Sequence, residues 1–255
     1  MKQFLEIALE AATAASIPIL EHFHGSYEVE TKPDRTPVTI ADRDAEQAIR
    51  SIIRKACPEH GIFGEEYGRS DRNSEYLWLI DPIDGTKSFV RGYGMFSTQI
   101  ALMYRDEIVV GVSNVPMTGE MAWATRGGGA WLDGQPINVS MIEQLGDASI
   151  STGNLETLAR SSRWQALGDV ISQANRGRGY GDYYHYHRLA SGQLDAVIES
   201  DVNILDIAAL SLIVSEAGGV FSDLAGNRIS LETSTVLAAN PTLHAELQTI
   251  LGWRA

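Results

Sequence analysis

The stretch YLWLIDPIDGT, residues 76–86, joins a short apolar run to a turn that carries two carboxylates. The run Tyr76–Ile80 is typical of a buried strand, and the Asp-Pro and Asp-Gly pairs that follow favour a turn. Such a turn can direct Asp81 and Asp84 to one point, where two ionised carboxylates repel each other unless a cation lies between them. Mg²⁺ takes oxygen ligands of this kind, and the Ile83 carbonyl offers another. The alternative is a surface turn with two solvated acids.

The residues after this turn are suited to an anion. Gly85 and Thr86 are expected to open a helix or turn that runs toward Phe89, where free backbone N–H groups bind phosphate well. A metal ion beside an anion site is typical of phosphoryl transfer to water. Thr86 has an equally simple alternative role, in which its hydroxyl only caps the helix.

Three more acids stand at the ends of expected elements. Glu65 follows the apolar pair Ile62-Phe63, Asp42 begins an expected second helix, and Asp206 begins an apolar helix. A solvated loop acid is the alternative for Glu65, and a helix cap is the alternative for Asp42 and Asp206. Together with Asp81 and Asp84, these acids favour one shared site.

The periodicity of the rest of the chain predicts a layered α/β fold. In the first half it predicts helices over about 2–23 and 42–57 and then a mostly antiparallel sheet, with strands at 97–104, 107–115 and 121–125. In the second half strands and helices alternate, with predicted strands at 149–152, 194–199 and 236–239 and helices at 207–217 and 243–251. The expected boundary near Met141–Gly146 separates an α+β portion, residues 1–145, from an α/β portion, residues 146–255, within one compact catalytic unit.

Composition excludes several classes of protein. The 255 residues are 44% hydrophobic and 21% charged, which excludes a disordered chain, a collagen-like chain and a disulfide scaffold. The net charge of −13 repels phosphodiester backbones, so nucleic acid is not an expected partner. The first helix carries Glu6 and Glu10 and has Pro18 near its end, so we interpret it as a packed helix that Pro18 kinks or ends, not a signal peptide. With no apolar stretch of membrane-spanning length and one cysteine, Cys57, we expect a cytoplasmic protein that does not enter a membrane.

These motifs resemble the signatures of the inositol monophosphatase family. The matching segments, in chain order, are PVTIAD (37–42), Gly64-Glu65-Glu66, WLIDPIDGTKSF (78–89) and LDIAALSLIVSEAGG (205–219). The resemblance extends from about Lys32 to Gly219. It departs from the family at Leu205, where the family commonly has tryptophan before the aspartate, and this difference concerns substrate preference more than metal binding.

The resemblance implies a five-layer αβαβα sandwich of the sugar phosphatase type and Mg²⁺-dependent hydrolysis of a small phosphomonoester. It places Glu65, Asp81 and the Ile83 carbonyl on a first metal ion. It places Asp81, Asp84 and Asp206 on a second ion. A third, weaker ion would share Glu65, which also counts among the catalytic residues, so the site would hold two to three ions.

Catalytic and substrate roles are implied in the same way. Thr86, hydrogen-bonded to Asp42, would orient the attacking water and help to deprotonate it. The backbone amides of Gly85 and Thr86 would hold the phosphate. Glu199 matches a substrate-binding carboxylate, and Lys32 is expected near the metal ions. A homodimer is the family expectation.

The family contains inositol monophosphatases, histidinol-phosphate phosphatases, nucleotide 3′-phosphatases and fructose-1,6-bisphosphatases. In this chain Gly181-Asp182, followed by tyrosines, resembles the histidinol-phosphate branch. Asp182 and Glu199 are suited to the ammonium of histidinol phosphate, and Tyr183 or Tyr184 to its imidazole. The alternatives are that Asp182 caps a helix and the tyrosines pack in the core, that the substrate is inositol phosphate or a nucleotide 3′-phosphate, or that the protein is a binding protein that retains the fold.

Three further features are expected to take no part in the site. His185 and His187 form an i, i+2 pair with no third soft ligand nearby, which argues against zinc. Arg176 and Arg178 are expected to be solvated, with contact to the substrate or to a second subunit as the alternative. Gly127-Gly128-Gly129 lacks the lysine and hydroxyl pattern of a phosphate loop and predicts a hairpin turn.

Overall fold

A computed structural model of the chain describes residues 1–25, 29–31, 37–70 and 74–253. The helices are α1 Lys2–His24, α2 Ile40–Ala56, α3 Thr86–Val90, α4 Leu155–Arg160, α5 Trp164–Gln173, α6 Asp182–Ala190, α7 Ile204–Glu216 and α8 Pro241–Leu251. The strands are β1 Val29–Thr31, β2 Pro37–Thr39, β3 Gly61–Gly64, β4 Gly68–Ser70, β5 Tyr76–Asp84, β6 Ser97–Tyr104, β7 Glu107–Val115, β8 Glu120–Thr125, β9 Ala130–Leu132, β10 Gln135–Ile137, β11 Ser149–Gly153, β12 Arg176–Arg178, β13 Ala196–Ser200, β14 Val220–Ser222 and β15 Thr235–Ala239.

Strand β5 shows why its sequence is apolar without alternation. Leu77 and Leu79 belong to one buried cluster, whereas Trp78 and Ile80 belong to a second cluster on the opposite face. A strand that is covered on both faces reads as a continuous apolar run, because each side chain meets a core whichever way it points. The prediction of a buried strand over Tyr76–Ile80 is therefore confirmed.

Strands β1 and β2 pair with each other, and the other described strands form two large sheets. The first has eight strands in the order β10-β9-β8-β7-β6-β5-β3-β4 and is antiparallel except where β3 runs parallel to β5. The second has five strands in the order β12-β11-β13-β15-β14. Strands β3 and β5 therefore end at the same edge, which places the residues that follow them near one another.

Three buried clusters separate five layers. One lies between α1, α2 and the eight-stranded sheet, and the next lies between that sheet, α6, α7 and the five-stranded sheet. The third lies between the five-stranded sheet and α4, α5 and α8. The layer order is α, β, α, β, α, so the predicted sandwich is confirmed. The division at residue 145 remains a prediction, and α7 of the second portion lies against strands of the first.

Helix α1 packs closely against α2 because alanines line its inner face. Ala8, Ala11, Ala12 and Ala15 are completely buried. Pro18 lies inside the helix, which continues to His24, so the expectation that Pro18 ends it is wrong. In the described part of the chain, this is the one helix that is long and apolar enough to cross a membrane, a test that buried core helices also pass.

Candidate metal and phosphate site

Asp81 and Asp84 lie at the end of β5, where the strand leaves regular pairing with β6. The register between β5 and β6 shifts between these two residues. The amide of Ile83 donates a hydrogen bond to Asp81 Oδ1 at 3.0 Å, which folds the backbone back toward the first carboxylate. Both aspartates are buried, at 2% and 8% exposure. The turn predicted at Asp81–Asp84 is wrong, because β5 continues through Asp84 with a shift in register, and both carboxylates lie on the irregular end of a buried strand.

Asp206 completes a group of three carboxylates. Asp81, Asp84 and Asp206 each offer one oxygen, and these oxygens lie within 4.8 Å of one another. Within the described ranges, this is the one group of acids, histidines or cysteines found with that geometry. It joins residues that are far apart in the sequence, because the N-terminus of α7 meets the end of β5.

The charge state of this group calls for a cation. Burial raises the pKa of Asp81 well above its usual value, and the charges of Glu65, Asp206 and Asp84 add to that effect. Burial, followed by the charges of Asp182 and Asp206, does the same to the pKa of Asp84. The pKa of Asp206 rises to about 7, chiefly through burial. A divalent ion would reverse these costs, and carboxylate oxygens are ligands that hard cations prefer.

Glu65 lies beside the three aspartates, as its place after β3 predicts. Its amide donates to the Ile80 carbonyl at 3.2 Å, and its carboxylate contacts Asp81. The turn that carries it rests on the buried carboxylate of Glu46, which accepts from the amide of Glu66 at 2.7 Å and from Arg50 Nε at 2.6 Å.

The contact of the buried Glu46–Arg50 pair with this turn was not predicted from the sequence. An acid and a base four residues apart on α2 signal an ion pair, but nothing in that spacing shows that the pair is buried. Gly64 is required beside it, because a Cβ there would lie 2.0 Å from Glu46 Oε1.

Two helices begin at this site with the same local device, a capping box in which the N-cap residue and the third helical residue bond to each other. At α2, Asp42 Oδ2 accepts from both the amide and the hydroxyl of Thr39, each at 2.7 Å. At α7, Asp206 accepts from the amide of Asn203 at 2.9 Å and from its side chain at 2.6 Å. Both helices therefore begin before the expected residue, with Asp42 and Asp206 inside the first turn.

The remaining oxygen of Asp42 faces Thr86. The Thr86 hydroxyl lies 3.3 Å from Asp42 Oδ1 and 2.9 Å from the Ile83 carbonyl oxygen. The hydroxyl has one proton, so it donates to one of these acceptors at a time. A carbonyl oxygen has two lone pairs, and the Ile83 oxygen can therefore accept from Thr86 and still be a metal ligand.

Helix α3 begins at Thr86 as predicted, with Gly85 as its N-cap. The backbone of Gly85 has a φ of 91°, and a Cβ at this position would lie 2.9 Å from the Met95 carbonyl oxygen. Glycine is therefore required here by both conformation and space. The first amides of a helix have no intrahelical acceptor, so those of Gly85 and Thr86 stay suited to an anion.

A cavity of about 40 Å³ joins the carboxylate group to the residues expected to bind substrate. Its lining contains Asp84, Asp206, Asp182 and Glu199, together with Asn154, Tyr186, Val202, Ile207 and Leu210. Burial and the nearby charge of Glu199 raise the pKa of Asp182 to about 6. Asp182 is also the first residue of α6, so it begins a helix and faces the cavity as well.

Glu199 is held in place by two neighbours that sequence reasoning did not assign to the site. Its Oε2 accepts from Tyr186 Oη at 2.5 Å and lies 3.1 Å from His185 Nε2. Its Oε1 lies 1.9 Å from the place that a Cβ of Gly153 would take. The pattern on α6 gave no signal for Tyr186, because a buried tyrosine at helical spacing is ordinary core.

The two tyrosines expected to contact an imidazole lie elsewhere. Tyr183 is a buried member of the central core. Tyr184 carries the guanidinium of Arg188 over its ring at 5.1 Å, outside the residues that line the cavity. Packing, the alternative interpretation, therefore describes Tyr183, and neither tyrosine lines this cavity. Stacking of Tyr183 or Tyr184 on a substrate stays a prediction.

Three other predictions concern the two histidines of α6, the residue before Asp206, and Lys32. His185 and His187 are fully buried and bind different acids, Glu199 and Glu120, so they share no metal site. Leu205, at the departure from the family pattern, is buried in the central core. Lys32 lies outside the described residues.

The surface features also agree with the sequence. Arg176 and Arg178 lie exposed on the edge strand β12. The glycine turn at 127–129 has a clear structural role, because the amides of Gly127 and Gly129 donate to the two carboxylate oxygens of Glu216 at 2.8 and 2.9 Å.

The chain is similar to known proteins over nearly its whole length. Residues 1–252 match the inositol monophosphatase family. The histidinol-phosphatase of Streptomyces coelicolor is 36% identical over 260 residues, covering 98% of this chain and 97% of that protein. The inositol monophosphatase of Dictyostelium discoideum is 33% identical over 263 residues, covering 98% and 96%. The crystal structure of the extragenic suppressor protein suhB from Bartonella henselae superposes with a TM-score of 0.91 at 28% identity, covering 98% of each chain.

Proposed function

The chain belongs to the inositol monophosphatase family, and we propose that it uses Mg²⁺ to hydrolyse L-histidinol phosphate to histidinol and phosphate. Its family and its histidinol-phosphatase relatives make it a phosphomonoester hydrolase. The observation that carries the substrate proposal is the cavity in which Asp182 and Glu199 face the carboxylate pair Asp84 and Asp206. Two further carboxylates therefore lie beside the proposed metal ligands, in the cavity that we propose for the non-phosphate part of the substrate.

The donor set fits Mg²⁺. Glu65, Asp81, the Ile83 carbonyl, Asp84 and Asp206 supply oxygen ligands only, and burial together with neighbouring carboxylates raises the pKa of each of the three aspartates, a cost that a bound cation would offset. When bound, Mg²⁺ lowers the pKa of a coordinated water and neutralises charge on the phosphate as the leaving oxygen departs. Two to three ions per site are consistent with the number of these ligands.

Thr86 and Asp42 are proposed to prepare the attacking water. The Thr86 hydroxyl can accept a proton from the water while it donates its own proton to Asp42, 3.3 Å away. Asp42 stays in position because Thr39 donates to its other oxygen twice. Glu65, next to Asp81, completes the proposed catalytic set. The amides of Gly85 and Thr86 would hold the phosphate at the start of α3.

Asp182 and Glu199 are proposed to bind the ammonium of histidinol phosphate. The pKa of Asp182 lies near 6 because Asp182 is buried beside Glu199. A bound ammonium would offset that repulsion through charge-assisted hydrogen bonds. Inositol is neutral and would leave the pair without a counter-charge, which favours the amine-bearing substrate.

Two alternatives stay open to test. Inositol 1-phosphate, or a broad set of small phosphomonoesters, is supported by the relative from Dictyostelium discoideum. A binding role without relevant catalysis has weaker support because the acids of the metal site are all present. A nucleotide 3′-phosphate uses the same acids, so only the comparison of substrates tests it.

The test measures phosphate release in Mg²⁺ buffer with L-histidinol phosphate or inositol 1-phosphate at equal concentration. We expect a strong preference for histidinol phosphate. Asp182→Asn should reduce that preference by about ten- to a hundredfold, the value of one charge-assisted hydrogen bond. Asp201→Asn is the matched control, since Asp201 is an exposed acid in the same region that does not line the cavity.

Equal or faster turnover of inositol 1-phosphate would contradict the substrate assignment and leave the phosphatase chemistry standing. Loss of preference in Asp201→Asn as well would show that the effect comes from general surface charge and not from the cavity.

The proposal includes a cytoplasmic homodimer, which the family resemblance and the composition support. Light scattering on the purified protein should give twice the 27.8 kDa of one chain. A mass of one chain would remove the dimer from the proposal without affecting the chemistry.

A further inference from the structure

A continuous chain of hydrogen bonds leads from the carboxylate group into the interior of the molecule. In order, it joins Asp84, Ser97, Gln99, Ser113, His187, Glu120 and Arg188. It joins four neighbouring strands of the large sheet, β5 to β8, with helix α6. Four of its members, Ser97, Gln99, Ser113 and His187, have no exposed surface.

The first half of this series of hydrogen bonds fixes one oxygen of Asp84. Ser97 Oγ lies 3.0 Å from Asp84 Oδ2. Gln99 Nε2 then lies 2.8 Å from Ser97 Oγ and 3.1 Å from Ser113 Oγ. One amide group therefore holds two serines at once.

The second half anchors Ser113. His187 Nε2 lies 2.8 Å from Ser113 Oγ, and His187 Nδ1 lies 2.7 Å from Glu120 Oε1. Arg188 pairs with the other oxygen of Glu120. The pKa of Glu120 falls to about 2, chiefly because His187 donates to it, so this end of the chain is a fixed carboxylate.

The donor and acceptor types of these side chains fix which group donates in each hydrogen bond of the series. A carboxylate only accepts, so Glu120 takes the Nδ1 proton of His187, whose Nε2 must then accept from the Ser113 hydroxyl. Asp84 likewise accepts the Ser97 proton. Both serine oxygens then need a donor, and the NH₂ group of Gln99 is the one side-chain group that supplies two.

The cost of this arrangement indicates a role beyond packing. Gln99 Oε1 is buried without a partner among the described residues. A buried acceptor without a partner is unfavourable, because it has lost its hydrogen bonds to water. Position 99 therefore keeps glutamine for its two donors, although its carbonyl oxygen is left unpaired. Asp81 has no need of such a device, because the amide of Ile83 two residues away already orients it.

We propose that Gln99 and Ser113 are positioning residues for Asp84, which act through Ser97 to hold Oδ2 so that Oδ1 faces the metal ion. His187 and Glu120 anchor the far end of the chain. This inference rests on the metal site of the proposed function. Polar neighbours of a metal ligand commonly set metal affinity even though they do not touch the ion.

The test is calorimetric titration of the metal-free full-length protein with MgCl₂, without substrate. Ser97→Ala should weaken Mg²⁺ binding about tenfold and Ser113→Ala about threefold, because each step away from Asp84 loosens it less. Ser222→Ala is the matched control. It removes a buried serine on β14 of the five-stranded sheet, whose Oγ lies 2.9 Å from Nε2 of His244 on α8. This variant should lower the melting temperature without changing Mg²⁺ affinity.

A double variant separates positioning from general stability. If Ser113 acts through Ser97, Ser97→Ala/Ser113→Ala should bind Mg²⁺ as weakly as Ser97→Ala alone. Additive losses would overturn the inference, as would a Ser113→Ala protein with lowered melting temperature and unchanged affinity.

Two outcomes have separate meanings. If Ser113→Ala does not fold, Gln99→Met is the second variant, because it removes both donors at nearly constant volume. It should weaken Mg²⁺ binding by between about threefold and tenfold, the values expected for Ser113→Ala and Ser97→Ala. Unchanged affinity would overturn the inference. If the unaltered protein binds no Mg²⁺, the metal site of the proposed function fails, and the inference fails with it.

Discussion

Helices α2 and α7 begin with the same capping box, yet the aspartates in the two boxes are suited to different tasks. In each, an aspartate at the third helical position accepts hydrogen bonds from the N-cap residue, Thr39 in one case and Asn203 in the other. The local geometry and the benefit to the helix are alike. What differs is the third partner, which comes from another part of the chain.

Asp42 meets a hydroxyl, whereas Asp206 meets other carboxylates. Thr86 faces Asp42 at 3.3 Å, which suits proton transfer. Asp206 lies within 4.8 Å of oxygens from Asp81 and Asp84, which suits a cation. A short sequence signal therefore sets where each helix starts, and the distant neighbour sets what the aspartate can do.

The largest expected effect comes from Asp206→Asn. Turnover should fall by about three orders of magnitude, because a metal ligand contributes several kcal/mol to the transition state. The metal-free protein should become more stable, since one of three repelling carboxylates is removed. Phosphate release and thermal melting in EDTA measure these two changes.

Asp81→Asn is the parallel variant for the first metal position and should lose turnover to the same extent while circular dichroism stays native. Near-normal activity in either protein would contradict the metal assignment.

Asp42→Asn should have a smaller and different effect. Turnover should fall about a hundredfold, as expected for loss of a proton acceptor, while Mg²⁺ affinity stays unchanged. The metal-free protein should become less stable, because the helix loses a charge near its N-terminus. The opposite signs of the two stability changes are the sharpest test of the comparison. A large loss of Mg²⁺ affinity in Asp42→Asn would show that the aspartates of both capping boxes bind metal ions.

The pH dependence of stability should differ between the metal-free and Mg²⁺-bound protein. The pKa of Asp206 is about 7 in the metal-free fold, above its ordinary value of 3.8. A raised pKa means that the folded state binds more protons, so stability is full at low pH and is lost as pH rises through about 7. The melting temperature in EDTA should therefore fall by several degrees between pH 5.5 and 8, in the same direction that Asp81 and Asp84 predict.

With saturating Mg²⁺ this slope should flatten. In Asp206→Asn the EDTA slope should shrink but persist because of the two other aspartates. An EDTA slope of the opposite sign would mean that the carboxylates are not crowded as the structure has them.

The smallest expected effects come from the cap residues. Thr39→Ala and Asn203→Ala should each destabilise the protein by about 1 kcal/mol, the usual value of an N-cap side chain. Only Asn203→Ala should also change Mg²⁺ affinity, because it loosens Asp206. Urea unfolding and calorimetry on the same samples measure both quantities, and equal changes in Mg²⁺ affinity would remove the distinction between the boxes.

The sequence predicted the layers and the acids better than it predicted their partners. Apolar runs and turn residues located β5 and α7, and acids at element ends pointed to Asp81, Asp84 and Asp206. Tyr186 and the Glu46–Arg50 pair were missed, because their role depends on contacts between segments that no local spacing reveals. For Tyr183 the core and cavity interpretations both stayed open for the same reason, since helical spacing does not tell a core residue from one that faces a cavity.

The carboxylate group has a consequence for the synthesis of the chain. Asp81 and Asp84 leave the ribosome well before Asp206, and domains form from the N-terminus as translation proceeds. The three oxygens assemble only when α7 docks on the finished large sheet, which closes a very long loop. The complete carboxylate group would thus form only after α7 has been made, and a ribosome stalled before α7 would display two of the three carboxylates and no complete site.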